Sequence, residues 1–240
     1  MATKRRRRRG KKQSKGTILW LFLTAVLSVF LAFCVYQAVY VQGIYEQNAK
    51  DTEESDCPPE IASIPVTTDY VPIGYAARTG MQRKIHYITI HETDNTETTA
   101  TAEAHNEYIH TYGKTHKLSW HYTVDENEIY HHIPDSETAF NAGDNIRKEG
   151  GNRNGIGIEL CVNQGGDFSQ TLHNAAVLVA YLMDKYDLDM EALKKHQDFS
   201  GKTCPSTLIT EGRWEEFCTM VEQALYDRQK QLETDAEEEE

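Results

Sequence analysis

The sequence lacks the short motifs by which many metal sites are identified. Its 240 residues contain no Cys-x-x-Cys pair and no His-Glu-x-x-His segment, so no metal site can be assigned from one local motif. The five cysteines are scattered along the chain, which excludes a small domain held together mainly by disulfides. No internal repeat is found, and a length of 240 residues leaves room for one substantial domain with appendages.

Acidic residues are absent from residues 1–16, and charged residues are absent from residues 17–41. The first segment contains nine Lys and Arg side chains. A helix formed by the second can cross a hydrocarbon core of about 30 Å. Because basic flanks stay on the cytoplasmic side, we predict a basic cytoplasmic segment (1–16), a transmembrane helix (17–41) and an extracellular remainder.

A cleaved signal peptide is the alternative interpretation of this region. The apolar part of a signal peptide spans roughly 7–15 residues and ends at a site of small residues. Here the apolar run is longer, and no such site follows it. Residues 31–34 resemble a lipoprotein cleavage box only loosely, because bulky Phe33 stands where a small residue is expected. Length and composition favour an uncleaved anchor.

The rest of the chain is acidic. The net charge is −12 although residues 1–16 contain nine cations, so the extracellular part is unsuited to binding phosphate backbones and we predict no nucleic-acid partner. Residues 42–68 are polar and contain prolines without an amphipathic period, which predicts an extracellular stalk. Residues 231–240 contain six acidic side chains and predict a solvated, disordered tail.

Between these segments, strand and helix patterns alternate. Runs of β-branched and aromatic residues predict strands at 84–91, 120–124, 129–133 and 155–162. Apolar periodicity predicts helices at 98–112, at 169–186 with Ser169 as the N-cap, and from residue 213 onward. The alternation predicts a single α/β domain over residues 69–230.

Three residues are possible ligands of one metal ion. His91 ends a predicted strand, and His196 and Cys204 lie eight residues apart around Gly201, where a loop can turn back. Catalytic zinc commonly has three protein ligands and one open position, and His and Cys suit it. Ten histidines provide many accidental trios, so the spacing alone leaves this site a hypothesis.

Glu159 is the second unusual feature. The strand period places Ile156, Ile158 and Leu160 on one face and Glu159 on the other, beside Gly157. A carboxylate in such a place is costly unless it is paired, ligating or catalytic. A buried salt bridge and a functional role are equally compatible with the pattern.

Four segments in this order carry a family resemblance: Tyr87-Ile-Thr-Ile-His-Glu-Thr93, Trp120-His-Tyr-Thr-Val124, residues 152–163 and residues 195–205. They resemble the type 2 N-acetylmuramoyl-L-alanine amidases, which include phage endolysins and bacterial autolysins and share a fold with the peptidoglycan recognition proteins. The resemblance is strongest to the phage and Bacillus-type autolysin branch and covers roughly residues 71–208. It implies an α/β amidase domain with a mixed central β-sheet flanked by helices.

The resemblance also implies the chemistry. Zinc would be held by His91, His196 and Cys204, and the enzyme would hydrolyse the amide between N-acetylmuramic acid and L-alanine in peptidoglycan. Glu159 would take a proton from water and pass it to the departing amine. Zinc and Lys202 would stabilise the oxyanion. Together with the anchor, this predicts a single-pass membrane autolysin whose catalytic domain is extracellular.

Two further residues are expected to contact the substrate. Many relatives have a histidine where this chain has Asn141, which can still form hydrogen bonds. The second expected substrate contact is His121, for which a hydrogen-bonded histidine in the core is the alternative interpretation. A non-catalytic muropeptide receptor of the same fold is the alternative function, but such proteins typically lose a zinc ligand. A scaffold with a structural metal would need a fourth protein ligand, and none is evident.

Overall fold

The computed structural model describes residues 15–53 and 55–238. The chain divides between Gln47 and Asn48 into two compact units, which are described separately. In the first unit, helix α1 (Lys15–Glu53) contains Ile18–Ile44, a stretch long and apolar enough to cross a membrane. The predicted apolar helix is therefore present. Most of the predicted basic segment lies outside the described residues.

The segment predicted to be a stalk (residues 42–68) has regular secondary structure at both of its ends. Helix α1 continues to Glu53, because the Ala, Gln, Lys and Glu residues of this segment favour helix even without an amphipathic face. At the other end, strands β1 (Glu60–Ile61) and β2 (Ile64–Thr68) belong to the sheet of the second unit. Ile64 and Val66 are buried there. Their alternation with exposed residues indicates a strand, whereas the neighbouring prolines had suggested an irregular stalk.

The second unit is built on one seven-stranded sheet in the order β1-β2-β5-β4-β6-β3-β7. The remaining strands are β3 (Tyr87–Glu92), β4 (Tyr122–Val124), β5 (Ile129–His131), β6 (Gly155–Leu160) and β7 (Leu193–Lys195). The pairs β1–β2 and β4–β5 are antiparallel, and the others are parallel. A mixed sheet in an α/β domain is thus confirmed.

The helices of this unit are α2 (Ala102–Tyr112), α3 (Gly151–Asn154), α4 (Phe168–Tyr186), α5 (Gln197–Ser200), α6 (Ser206–Thr210) and α7 (Trp214–Glu238). Asp167, not Ser169, caps α4, because its carboxylate accepts the Gln170 N–H. Helix α7 continues to Glu238 where a disordered tail was predicted, since Gln, Leu, Ala and Glu favour helix.

The core lies on one face of the sheet. Ile88 and Ile90 of β3 and Ile156 and Ile158 of β6 are fully buried in it, together with the inner side chains of α4. Because side chains alternate along a strand, the intervening residues of β3 and β6 project from the opposite face. That opposite face holds the polar residues described next.

Candidate metal centre and active site

His91, His196 and Cys204 converge in the structure. Their ligand atoms lie within 4.8 Å of one another, and the two histidine Nδ1 atoms are 3.0 Å apart. Strand pairing explains the meeting: β7 runs parallel to β3 with Lys195 opposite Ile90, so His196, the next residue, lies beside His91. Cys204 approaches from the loop before α6.

The donor chemistry of this trio fits zinc. Burial, followed by the neighbouring cations, lowers the pKa of both His91 and His196, so both imidazoles are neutral and able to ligate. Nε2 of His91 is buried without a hydrogen-bond partner among the described residues. Burial raises the pKa of the Cys204 thiol to about 12, so a bound metal would have to displace its proton. Two neutral imidazoles and a thiolate form a zinc-type donor set.

The trio opens onto a groove of about 570 Å³. Its lining comes from α2 and the chain that follows it, from the end of β3 and from the Lys202 loop. The wall residues outside the trio are Glu92, Thr93, Asp94, Asn95, Ala104, His105, Tyr108, Leu118, Trp120, Asn141, Glu159 and Lys202. The groove therefore joins the predicted metal ligands to both predicted catalytic residues.

Glu159 is the direct register partner of His91 on the neighbouring parallel strand. Its Oε2 is buried without a hydrogen-bond partner in the part of the chain that the structure describes. Burial raises its pKa to about 8, with Lys202 opposing the shift. No salt bridge to Glu159 is present among the described residues, which removes the structural interpretation that the sequence had left open.

Lys202 lies at the rim of the groove with about half of its side chain exposed. Its Nζ donates to Oδ2 of Asp94 at 2.8 Å. This hydrogen bond raises the lysine pKa and fixes where the positive charge stands. The ammonium group therefore faces the groove in which Glu159 lies.

Glu92 is a site residue that the sequence reasoning missed. Its buried carboxylate accepts hydrogen bonds from the N–H groups of Thr207 at 2.9 Å and Leu208 at 3.1 Å, and from Oγ of Ser206 at 3.0 Å. Its own N–H lies 3.5 Å from Sγ of Cys204. Glu92, the last residue of β3, thus ties the strand that contains His91 to the loop that contains Cys204. The sequence signal that could have indicated Glu92 is its position directly after the candidate ligand His91.

The two predicted substrate contacts have different outcomes. Asn141 lines the groove, and its Oδ1 and Nδ2 are buried without a hydrogen-bond partner among the described residues. A Cβ on Gly157 would lie 2.5 Å from Nδ2 of Asn141, so this glycine makes room for the amide.

His121, in contrast, is fully buried and does not line the groove. Its Nδ1 accepts the Gly157 N–H at 3.0 Å, and its Nε2 lies 3.0 Å from the Glu137 carbonyl oxygen. Both ring nitrogens are thus used within the domain. The prediction of a substrate contact for His121 is wrong, and the alternative of a hydrogen-bonded core histidine describes it.

A second cluster of potential ligands is held together without a metal. Asp56, His131 and Asp135 lie close together. The buried Asp135 accepts hydrogen bonds from Tyr122 at 2.8 Å and pairs with the Lys185 ammonium at 3.1 Å. Because Lys185 already supplies the positive charge, this cluster is a structural ion-pair network.

The chain is similar to known proteins. N-acetylmuramoyl-L-alanine amidase XlyA of Bacillus subtilis (strain 168) is 39% identical over 152 residues, which are 63% of this chain and 49% of the relative. N-acetylmuramoyl-L-alanine amidase CwlH of the same organism is 35% identical over 154 residues, 64% of this chain and 60% of the relative. The chain therefore spans about half to three fifths of the length of these relatives.

Two solved structures are similar as well. The catalytic domain of XlyA matches with a TM-score of 0.62 and 37% identity, covering 66% of this chain and 99% of that chain. The structure of PlyL matches with a TM-score of 0.60 and 32% identity, covering 66% of this chain and 97% of that chain. Residues 81–207 match the family Amidase_2, described as N-acetylmuramoyl-L-alanine amidase. This match covers more than half of the chain, and the chain therefore belongs to that amidase family.

Proposed function

We propose that this chain is a zinc-dependent N-acetylmuramoyl-L-alanine amidase that hydrolyses the amide between N-acetylmuramic acid and L-alanine in peptidoglycan. The observation that carries the proposal is the convergence of His91, His196 and Cys204 in one groove with Glu159, which has no ion-pair partner among the described residues. The names of the similar Bacillus proteins support the same reaction.

The three converging side chains would hold the ion. A zinc ion bound there supplies Lewis-acid chemistry and lowers the pKa of water towards neutrality. The trio offers three ligand atoms beside an open groove, which is the number that catalytic zinc sites commonly take from the protein, whereas structural sites take four.

Glu159 would move the proton. Burial raises the pKa of its carboxyl group to about 8 in the metal-free chain, which brings the exchange of its proton towards the neutral range. General acids and bases work best when their pKa lies close to the working pH. The proton would pass to the amine of L-alanine as the amide C–N bond breaks, which leaves a free carboxylate on the muramoyl lactyl group.

Lys202 and Asn141 would bind the reacting amide. The Lys202 ammonium, held by Asp94, would stabilise negative charge developing on the carbonyl oxygen. The unpartnered amide of Asn141 would donate to and accept from the substrate, because a buried polar group without a protein partner gains from such a bond.

The location of the enzyme follows from α1. The Ile18–Ile44 stretch would act as a single-pass, uncleaved anchor, with the basic residues 1–16 cytoplasmic and the catalytic domain outside. Protease added to intact cells would then digest the catalytic domain, whereas a cytoplasmic domain would be protected. An N-terminus starting after the apolar stretch in the mature protein would show a cleaved signal instead.

Product analysis tests the reaction. The full chain in detergent, loaded with zinc, is incubated with purified peptidoglycan, and free amines and reducing sugars are measured. We expect new N-terminal alanine without new reducing ends. New reducing ends would indicate a glycosidase. Binding without any product would favour a muropeptide receptor.

A further inference from the structure

An exposed column of aromatic rings extends along α2 away from the groove. Tyr108 and Tyr112 stack with ring centroids 5.1 Å apart and an interplanar angle of 13°. Tyr112 and His116 stack at 3.7 Å and 9°. The two tyrosines are 45% and 38% exposed, a large aromatic surface to leave in water.

The end of this column lies at the groove. Tyr108 lines the groove that contains the metal trio, and so does Ala104, one helical turn earlier. Helical side chains lean towards the N-terminus, over the residue four positions before. Tyr112 stacks on Tyr108, and Ala104 has only a methyl group with which to cover the ring, so we expect the ring face of Tyr108 towards Ala104 to be the open one.

We propose that this open face of Tyr108 is a stacking subsite for a pyranose ring of the glycan strand, with Tyr112 and His116 backing the ring. The inference rests on the proposed amidase function and adds a subsite to it. Tyr108 would bind substrate without taking part in proton transfer.

The chemistry of the groove lining suits a substrate that is part sugar and part peptide. The bond to be cut joins a sugar to a peptide, so the groove must take both. Asp94 and Lys202 bring charge to the lining and suit the polar stem peptide. Tyr108, Leu118 and Trp120 bring aromatic and apolar surface to it, which suits the C–H face of a pyranose.

Binding and kinetics test the subsite. Zinc-loaded full chain in detergent is titrated with peptide-free glycan strands and, separately, with free stem peptide. For Tyr108→Ala we expect about 3- to 10-fold weaker glycan binding, the range for one aromatic stacking contact, with peptide binding unchanged. Tyr108→Phe keeps the ring and should bind glycan like the wild type.

The kinetic signature separates binding from a structural effect. On peptidoglycan, Tyr108→Ala should raise KM by a similar factor and leave kcat unchanged, whereas a misfolded variant would lose kcat. Tyr226→Ala is the matched control, because Tyr226 is exposed on α7 and does not line the groove. Tyr226→Ala should leave glycan binding, KM and kcat unchanged.

Three results overturn the proposal. Tyr108→Ala could bind glycan as tightly as the wild type, or it could lose peptide binding and keep glycan binding. The third result is that the wild type does not bind glycan. Failure of the proposed function looks different. A wild-type protein that binds glycan through Tyr108 but releases no amine would keep the subsite and contradict the amidase reaction.

Discussion

His91 and Glu159 occupy the same register position on the adjacent parallel strands β3 and β6, so their side chains project from one face of the sheet. The first belongs to the candidate metal centre, and Oε2 of the second has no hydrogen-bond partner among the residues that the structure describes. Neighbouring strands thereby place the proposed proton carrier beside His91, one of the candidate ligands. Sites built on strands hold their geometry more exactly than sites on loops.

Replacing Glu159 by Gln tests its role in proton transfer. Glu159→Gln should lower kcat by about 10²–10⁴-fold, the usual contribution of a general acid or base. Because Glu159 is not among the three ligands, the variant should still bind one zinc ion per chain, measured by elemental analysis. Turnover close to that of the wild type would show that another group moves the proton.

The raised pKa of Glu159 also predicts how the stability of the metal-free protein depends on pH. Its pKa is about 8 in the folded chain against an ordinary 4.5, so folding favours the protonated acid. That stabilisation is complete below about pH 4.5 and is lost as the pH rises through about 8.

Gln mimics the protonated acid at every pH. Chelator-treated Glu159→Gln should therefore melt close to the wild type near pH 4.5 and at a higher temperature than the wild type near pH 8. Comparing the two proteins cancels the titration of the buried histidines. A Tm difference that does not change with pH would mean that Glu159 is already ionised in the metal-free fold.

Glu92 is expected to determine how well the metal centre is formed. Glu92→Gln removes the charge that holds the N–H groups of Thr207 and Leu208 and loosens the loop of Cys204. Zinc affinity, measured by competition with a chromophoric chelator, should fall about 10–100-fold, as is typical when an outer partner of a metal ligand is lost.

Asp167→Asn is the matched control for Glu92. Asp167 also accepts a backbone N–H at the start of a helix, but α4 contains no metal ligand. The control should shift Tm at most slightly and leave zinc affinity unchanged. Equal zinc affinities for Glu92→Gln and the wild type would make Glu92 a helix cap with no influence on the metal centre.

Lys202 is expected to act on the transition state and not on stability. Lys202→Met should lower kcat by about 10²–10³-fold, the cost of losing one group that stabilises an oxyanion. Its ion pair with Asp94 is about half exposed, so Lys202→Met and Asp94→Asn should each change the free energy of unfolding by less than ~1 kcal/mol. A large kcat loss only in Asp94→Asn would assign the catalytic role to the aspartate.

Part of the site could be predicted because Glu159 lies in a strand with a strong pattern. The alternation of isoleucines in β6 placed Glu159 on the face opposite to them, and the structure agrees. The alternation could not decide between a salt bridge and a functional role for Glu159. That decision required the positions of the lysines and arginines in space.

Other features depended on tertiary contacts that leave little trace in the sequence. Strand β7 has three residues, two of them lysines, and no pattern typical of a strand, yet its pairing with β3 brings His196 to His91. The buried environment of His121 likewise comes from Gly157 and Glu137, which are distant in sequence. Local patterns therefore missed both relationships.

The most direct test of the proposed reaction uses a defined muramoyl peptide in water enriched in ¹⁸O, with zinc-loaded full chain and the Glu159→Gln variant side by side. Mass spectrometry of the products identifies the bond and the atom attacked. The proposal predicts ¹⁸O in the lactyl carboxylate of muramic acid, a free L-alanine amine, and loss of both in the variant and after chelation. Label at a sugar carbon, or equal turnover by Glu159→Gln, would contradict it.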